Sequence, residues 1–357
     1  MKVVGYANKL SLHPGENIEF MVSCQNDTYH ADIVRLIHGD ISEDGPGFKE
    51  EYVKTTIDGE YTGKVQEIRN GSYVTVSNAE KLNITESLTF QAWIYPTTTT
   101  LREQTILGKW SGSDSVGYRM MITENGCLGL TCANSKTSIS VSSNVPMRDG
   151  VWYFAAISYD ADNKQVAIYQ IPLTIWPNEP SLAQTKTDVE FVKIPKTEVP
   201  FMMAAHSYKN KDSEFLIDAK YNGKIDSPKI YSCALTEDEI YRLKREAPAK
   251  EVGNENLVAA WTFTTNFSNS DVDDISGNGH NGRVINRPYR AMTGHLWRGQ
   301  EQNYKIAPEL YGAIHFHDDH LDDAEWAAGF KIPPALGQGD SRIDELYDVG
   351  TREQFID

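Results

Sequence analysis

Three histidines and two aspartates occupy the segment from His315 to His320. Imidazole and carboxylate groups are metal ligands, and in a strand His315 and His317 would lie on one face because side chains alternate with a period of two. Such a pair could bind zinc, iron or copper. In the alternative interpretation, which we favour, the histidines pack and hydrogen-bond inside a β-sandwich while Asp318 and Asp319 turn the chain.

A second segment with ligand chemistry runs from Asp273 to Asn278 and reads Asp-Asp-Ile-Ser-Gly-Asn. Calcium prefers carboxylate, amide and carbonyl oxygens, and a glycine lets the backbone fold around the ion. We predict Asp274 and Asn278 as calcium ligands, with Asp226 as a further candidate, and expect no other cofactor in this chain. The alternative is an Asx-type turn, in which the same side chains bond their own backbone.

Other motifs of enzyme chemistry are absent from the sequence. It contains no Gly-x-Ser-x-Gly nucleophile motif, no His-Glu-x-x-His zinc motif and no phosphate loop ending in Gly-Lys-Ser/Thr. A glycosidase needs two carboxylates that face one sugar bond, whereas Glu237 and Glu239 fall in a predicted helix. We therefore predict no catalytic residue and no cofactor-binding residue.

The tryptophans divide into two groups by their surroundings. Trp93, Trp152 and Trp261 fall within strand-like runs, so we expect them in the core. Trp110 lies beside a Ser-Gly turn signal and Trp176 lies between an isoleucine and a proline. We predict that these two contact a sugar or a neighbouring subunit at the surface.

Short runs of alternating apolar and polar residues, separated by Gly, Pro, Asn and Asp, dominate the chain. This pattern is typical of a β-sandwich or barrel. One short helix is well marked, because Thr236 and Glu239 form a capping-box pair ahead of Ile240 and Leu243. The sequence therefore predicts an all-β fold that positions the candidate residues on strands and turns.

Composition narrows the class of protein. The 357 residues include 50 Asp and Glu against 34 Lys and Arg, a net charge of −16. Such a surface repels nucleic acids and anionic membranes. No apolar run approaches the roughly 18 to 20 residues of a membrane helix, and the first residues lack the apolar core of a signal peptide. We expect a cytoplasmic protein whose four cysteines, at 24, 127, 132 and 233, are free thiols.

Four stretches combine strand-like runs with turn residues in a fixed order. They are Gly71–Val76 running into Ser87–Ile94, then Gly150–Ala156, then Gly223–Asp226 to Ala234–Ile240, and finally Ala260–Phe263 with Asp274–Gly282. Together they resemble the laminin G-like, concanavalin A-like jelly-roll family. The resemblance implies a jelly-roll sandwich, and many domains of this family place calcium at or near the segment of Asp274.

The flanks carry a sharper resemblance. The stretches Ile33–Asp40, Gly45–Glu51, Tyr311–Asp319 and Asp322–Trp326 are similar to the N-terminal region of the N,N-dimethylformamidase large (beta) subunit family, which carries a laminin G-like insertion in the same place. The resemblance covers residues 1 to 334. It implies an iron-dependent amide hydrolase that yields formate and dimethylamine. The iron of that family is held by tyrosine and glutamate side chains of a downstream catalytic domain, so we carry over no ligand to this chain.

The two resemblances predict nested domains. Because the first and last strands of a jelly roll lie near each other, such a domain can be inserted without separating the halves of its host. We expect residues 1–62 and 291–336 to form one small β-sandwich and residues 63–290 to form the inserted jelly roll. Residues 337–357 do not match the family, and their apolar spacing allows a short terminal helix.

The resemblance implies a role for the chain. We expect the N-terminal, non-catalytic assembly portion of a dimethylformamidase-like amidohydrolase, inactive alone. Its partners would be the remainder of the large subunit and a small subunit in an oligomer, with no nucleic acid and no membrane. The alternative is a free-standing lectin-like module that binds carbohydrate or protein.

Overall fold

The computed structural model describes residues 3–7, 12–40, 45–65, 71–175, 178, 180–209, 215–247, 249–286, 288–300 and 303–317. Their regular structure is nearly all β. The strands are β1 (Val3–Ala7), β2 (Phe20–Cys24), β3 (Thr28–Ala31), β4 (Ile33–His38), β5 (Lys49–Val53), β6 (Gly59–Thr62), β7 (Tyr73–Val76), β8 (Leu88–Pro96), β9 (Gln104–Ser111), β10 (Val116–Ile122), β11 (Cys127–Ala133), β12 (Ser138–Pro146), β13 (Tyr153–Asp160), β14 (Gln165–Pro172), β15 (Ala183–Asp188), β16 (Phe201–Met203), β17 (His206–Lys209), β18 (Phe215–Asp218), β19 (Gly223–Tyr231), β20 (Leu257–Thr262), β21 (Asp271–Asp274), β22 (Gly282–Ile285), β23 (Tyr289–Met292) and β24 (Ala313–Phe316). The helices are α1 (Glu237–Lys244) and short 3-10 turns at Glu80–Leu82, Ala249–Glu251, Asn254–Asn256 and Pro308–Tyr311.

The chain falls into two compact units, residues 1–69 and residues 70 onward. The second unit contains two large antiparallel sheets. The first sheet has the strand order β15-β14-β13-β8-β19-β24-β23, with β20 pairing along the other half of β19. The second sheet has the order β12-β11-β10-β9-β16-β7-β22-β21. Neighbours such as β8 and β19 are far apart in sequence, which is the topology of a jelly roll.

The apolar core lies between the two sheets. Along β8, Phe90, Ala92 and Ile94 join this core, whereas Trp93 faces the opposite side of the first sheet. This is the period-two alternation expected of a strand. Trp261 is buried in the core and stacks on Phe201, with ring centroids 5.1 Å apart. The predicted core positions of Trp93 and Trp261 are confirmed, while Trp152 is half-buried.

A second apolar cluster covers the outer face of the first sheet. The predicted capping box starts α1, because Thr236 Oγ1 accepts a hydrogen bond from Glu239 N and the Glu239 carboxylate accepts one from Thr236 N. The helix buries Ile240 and Leu243 in the same cluster as Trp93. The outer face of this sheet is therefore covered by α1 rather than left to solvent.

The N-terminal unit is built differently. Its six strands form three separate two-stranded antiparallel sheets, β1 with β2, β3 with β6, and β4 with β5. Among its described residues, Cys24 is the one fully buried side chain. The unit consequently lacks an apolar core of its own.

The small β-sandwich predicted for the two flanks, residues 1–62 and 291–336, stays a prediction. Strand β24, from the flank that was expected to build the small sandwich, pairs with β19 of the jelly roll, aligning Phe316 with Gly223 and Ala313 with Asp226. The apolar strand completes the first sheet because Ile314 and Phe316 point into its core. The domain bounds at 62/63, 290/291 and 336/337 stay predictions; residues 337–357 lie outside the described part of the chain.

The jelly roll closes at the point where the chain enters and leaves it. Ser72 N donates to His317 O at 2.8 Å, and His317 N donates to Ser72 Oγ at 2.9 Å. The two residues are 245 positions apart. In the described part of the chain, no helix combines the length and apolar character needed to cross a membrane.

Candidate functional site

The predicted calcium segment forms a closed hydrogen-bonded turn. Asp274 Oδ1 accepts from the backbone N–H of Ala260 at 3.1 Å and of Ser276 at 2.9 Å. Asp274 Oδ2 accepts from Ser276 Oγ at 2.8 Å and from His280 N at 2.9 Å. Both carboxylate oxygens thus accept hydrogen bonds from the protein. This is the arrangement that the alternative of an Asx-type turn predicts.

The second predicted ligand is engaged as well. The Asn278 amide donates to the carbonyls of Leu257 and Val258, and its oxygen accepts from Lys81 Nζ at 2.5 Å. Among the described residues, no three His, Cys, Asp or Glu side chains are grouped so that they could hold a metal ion. Calcium at Asp274 and Asn278 stays a prediction, and no reaction step is derived through a metal.

His315 of β24 and His317, just beyond the end of the strand, lie on one face, as period-two alternation predicts. The rings of His315 and His317 both contact the ring of Tyr289, with centroids 6.2 and 5.8 Å apart. Burial and the nearby charge of Lys224 lower the pKa of His315. This placement matches the packing interpretation; Asp318, Asp319 and His320 lie outside the described residues.

A network of charged residues, in which Asp226 and His295 are buried and Glu246 is exposed, lies on the outer face of the first sheet. His295 is almost fully buried between two carboxylates, with Nδ1 2.6 Å from Asp226 Oδ2 and Nε2 3.0 Å from Glu246 Oε1. The ring stacks on Trp93 at 4.3 Å, and the indole N–H of Trp93 donates to Glu246 Oε1 at 3.1 Å. An imidazolium that donates through both nitrogens satisfies this geometry.

Local backbone features bring these groups together. The register of β19 against β8 shifts between Asp226 and Lys229, so that both side chains face the side of Trp93. Lys229 is half-buried, and its Nζ donates to Gln91 Oε1 at 2.8 Å. Glu246 follows α1 in the left-handed region, with φ of 63°. The network therefore joins the sheet, the end of α1 and the segment after β23.

Burial and hydrogen bonding shift the pKa values of the groups in this network in opposite directions. Burial disfavours the charged form of His295, but the hydrogen bonds that its ring donates to Asp226 and Glu246 outweigh burial and raise the pKa of His295 above its usual value. The same contact lowers the pKa of Glu246 despite burial. Burial also lowers the pKa of Lys229. Since both imidazole nitrogens are taken, this network suits positioning of chain segments rather than proton transfer to a ligand.

A second charged cluster lies on the outer face of the second sheet. The Arg119 guanidinium pairs with Glu103 at 2.6 Å and lies over the ring of Trp110, 4.6 Å from its centroid. His206 Nδ1 lies 3.2 Å from Arg119 and 2.9 Å from Thr105 Oγ1. The prediction that Trp110 contacts a ligand at the surface is wrong, because β9 continues past it and Arg119 covers it, leaving it 6% exposed. Trp176 lies outside the described residues.

His206 gives this cluster a predictable pH dependence. Burial and the positive charge of Arg119 lower the pKa of His206 to about 4, against 6.5 for the unfolded chain. Between those values the unfolded state binds more protons, so the free energy of unfolding should fall as the pH drops from 6.5 towards 4, by on the order of 2 kcal/mol from this residue. Urea unfolding at several pH values measures it. The His206→Gln variant should lose much of this slope, and equal slopes in both proteins would contradict the prediction.

A groove of about 650 Å³ with a mainly apolar surface opens at one end of the second sheet. Its lining offers hydroxyl, amide and charged groups, among them those of Ser111, Asp114, Asn134, Lys196 and Tyr208. Such groups could hydrogen-bond a polar ligand. Among the described residues, this groove is a candidate ligand site for the alternative hypothesis of a lectin-like binding module.

His295 and Glu246 were missed by reasoning from the sequence. Neither lies in a motif, and they are 49 positions apart. Asp226 was singled out only as a calcium candidate, and the structure places it against His295 instead. The one local hint is the glycine that precedes His295. In the structure, a side chain at Gly294 would collide with Asp226 Oδ2, so the close approach of the two segments requires a glycine there.

Comparison with known proteins agrees with this architecture. Residues 69–170 match the family model of the concanavalin A-like lectin/glucanases superfamily. Solved structures with a similar fold include a candidate carbohydrate binding protein from Bacteroides ovatus, 17% identical over 66% of this chain and 65% of that chain, with a TM-score of 0.42. The CBM40 of a Ruminococcus gnavus sialidase is 19% identical over 50% of this chain and 95% of that chain, with a TM-score of 0.39. The sheet topology and the family match define a concanavalin A-like β-sandwich protein, which confirms the jelly-roll prediction.

Two curated relatives match nearly the whole chain. The N,N-dimethylformamidase beta subunit of Alcaligenes sp is 32% identical, over 93% of this chain and 46% of the relative. The beta subunit of Paracoccus aminophilus is also 32% identical, over 100% of this chain and 48% of the relative. The chain is thus a homologue of the N,N-dimethylformamidase beta subunit, as its sequence resemblance predicted. It spans about half the length of these relatives.

Proposed function

We propose that this chain is the non-catalytic assembly portion of a dimethylformamidase-like amidohydrolase. The observation that carries the proposal is the match of almost the whole chain to about half of each beta subunit. Almost all of this chain aligns with each relative, but about half of each relative is left uncovered. In this proposal the aligned half acts as a scaffold for the uncovered half. In this proposal the iron-dependent chemistry belongs to the uncovered part of the subunit.

The described site supports a structural role. The charged network of Asp226, His295 and Glu246 has both imidazole nitrogens engaged and holds segments of the chain to the first sheet. The chain would then work with the remainder of the beta subunit and with a smaller subunit, in an oligomer. All four cysteines are free thiols, which supports a place in the reducing cytoplasm.

A chimera tests the proposal. In the Alcaligenes beta subunit, the aligned segment is replaced by this chain, and formate release from N,N-dimethylformamide is measured in the presence of iron. We expect hydrolysis by the chimera and none by the 357-residue chain alone. Deleting the aligned segment without replacement should abolish assembly. Size-exclusion chromatography with light scattering measures the oligomeric state. Substantial turnover by this chain alone would overturn the proposal, and a glycan array would then test the binding-module alternative.

A further inference from the structure

The N-terminal unit exposes apolar side chains, and among its described residues the strands pair only two by two. Each of its three sheets has only two strands, and an isolated two-stranded sheet is marginally stable in water. Leu36 of β4 is 60% exposed and Ile37 is 59% exposed. The large apolar side chains exposed in this unit also include Val3, Val4, Leu12, Phe20, Met21, Val34, Phe48, Tyr52, Ile57, Tyr61 and Val65.

Apolar side chains are exposed on both faces of the β1–β2 pair and on one face of the β4–β5 pair. Phe20 and Met21 are consecutive in β2, whose pairing with β1 has no register shift, so their side chains point to opposite faces, and both are exposed. Val34 and Leu36 are exposed on one face of β4, whereas Arg35 and its partner Glu51 lie on the other face. A strand covered on one face alternates apolar with polar residues, whereas a strand buried on both faces has an apolar run. By this criterion β4 has one face to be covered, and β2 has two.

Exposure on this scale distinguishes the unit from the jelly roll. The jelly roll buries its apolar strands between two sheets, while the N-terminal unit buries Cys24 alone among its described side chains. Contiguous exposed apolar surface marks an interaction site. Open strand edges are suited to pairing with strands of another segment.

We propose that the N-terminal unit is a docking surface, and that its occupant is the half of the beta subunit that this chain does not span. The inference rests on the proposed function and names the partner of its assembly role. The Paracoccus relative aligns with all of this chain, the N-terminal unit included, and carries slightly more than an equal length of further polypeptide. That polypeptide supplies strands for the edges of β4 and β5 that are unpaired among the described residues, and apolar side chains for the face that carries Val34 and Leu36.

Arg35 provides a probe within the proposed surface. It lies on β4, between Val34 and Leu36, and its guanidinium makes an exposed ion pair with Glu51 at 3.4 Å. Trypsin should cleave after Arg35 in the 357-residue chain alone. In the chimeric full-length beta subunit, cleavage there should be slower by at least roughly tenfold, because the covered strand must open first. Cleavage after Lys136, exposed in a turn of the jelly roll, serves as the internal control and should not change.

A double substitution makes the test specific. In the chimera, Leu36→Ser with Ile37→Ser should restore rapid cleavage after Arg35, whereas Ile275→Ser, at an exposed position of the jelly roll, should not. Equal cleavage rates at Arg35 in the chain alone and in the chimera would overturn the proposal. Protection that appears in the chain alone and grows with its concentration would overturn it as well, since the occupant would then be a second copy. If the chimera releases formate but Arg35 is not protected, the docking proposal is refuted and the proposed function stands. If Arg35 is protected but the chimera releases no formate, the docking proposal stands and the proposed function is refuted.

Discussion

Replacing Asp226 with asparagine should destabilise the jelly roll by about 3–5 kcal/mol at pH 7, the usual cost of removing one partner from a buried ion pair. Asp226 and His295 are 3% exposed each and lie 2.6 Å apart. The amide keeps the shape of the side chain but not its charge, so the imidazolium loses one of the two anions that hold its proton. Chemical denaturation followed by tryptophan fluorescence measures the loss.

The matched control is Asp162→Asn, since Asp162 belongs to the same unit but is exposed. It should change the free energy of unfolding by less than about 0.5 kcal/mol. A similar small change in the Asp226→Asn variant would show that the network contributes little.

The same network sets the direction of a pH effect. The folded pKa of His295 lies above the 6.5 of an unfolded histidine because of Asp226 and Glu246. Its contribution is therefore fully present below pH 6.5 and is lost as the pH rises through the folded pKa. His206, with a folded pKa lowered to about 4, acts in the opposite direction on the acid side. Stability should thus be greatest between these two transitions.

Truncating Trp261 to alanine should cost about 3–5 kcal/mol, because it empties the space of a large ring inside a packed core. Trp261 is 1% exposed, stacks on Phe201 and donates its indole N–H to His280 O at 2.7 Å. A cavity between the two sheets removes contacts on both sides at once. Thermal and urea unfolding monitored by circular dichroism should show the loss.

Two further variants separate the causes. Trp261→Phe keeps most of the ring but leaves the His280 carbonyl without its donor, so it should cost about 1–3 kcal/mol. Trp297→Ala, at a tryptophan that is 39% exposed, should cost less than about 1 kcal/mol. If Trp261→Ala were no more harmful than Trp297→Ala, the two sheets would not share the core described above.

Local signals in the sequence predicted local structure well. The capping box of Thr236 and Glu239 depends on residues three positions apart, and the structure shows both hydrogen bonds. The core positions of Trp93 and Trp261 followed from strand periodicity. The prediction for Trp110 failed because its cover comes from Arg119, a residue of the neighbouring strand, and because β9 runs through Ser111, so that the turn begins only at Gly112.

The features that the sequence did not predict depend on contacts between residues far apart in the chain. Asp226 and His295 are 69 positions apart, and they meet because Asp226, aligned with Trp93 in the pairing of β19 with β8, faces the outer side of the first sheet. Strand β24 joins β19 rather than a strand of the N-terminal unit, which depends on the apolar core that Ile314 and Phe316 complete. Neither pairing leaves a local pattern in the chain.

The hydrogen bonds between Ser72 and His317 have a mechanical consequence. Tension applied at Ser72 and His317 would be carried first by this short contact, because its hydrogen bonds join the two residues directly. The core between the two sheets would bear that load only after those bonds gave way.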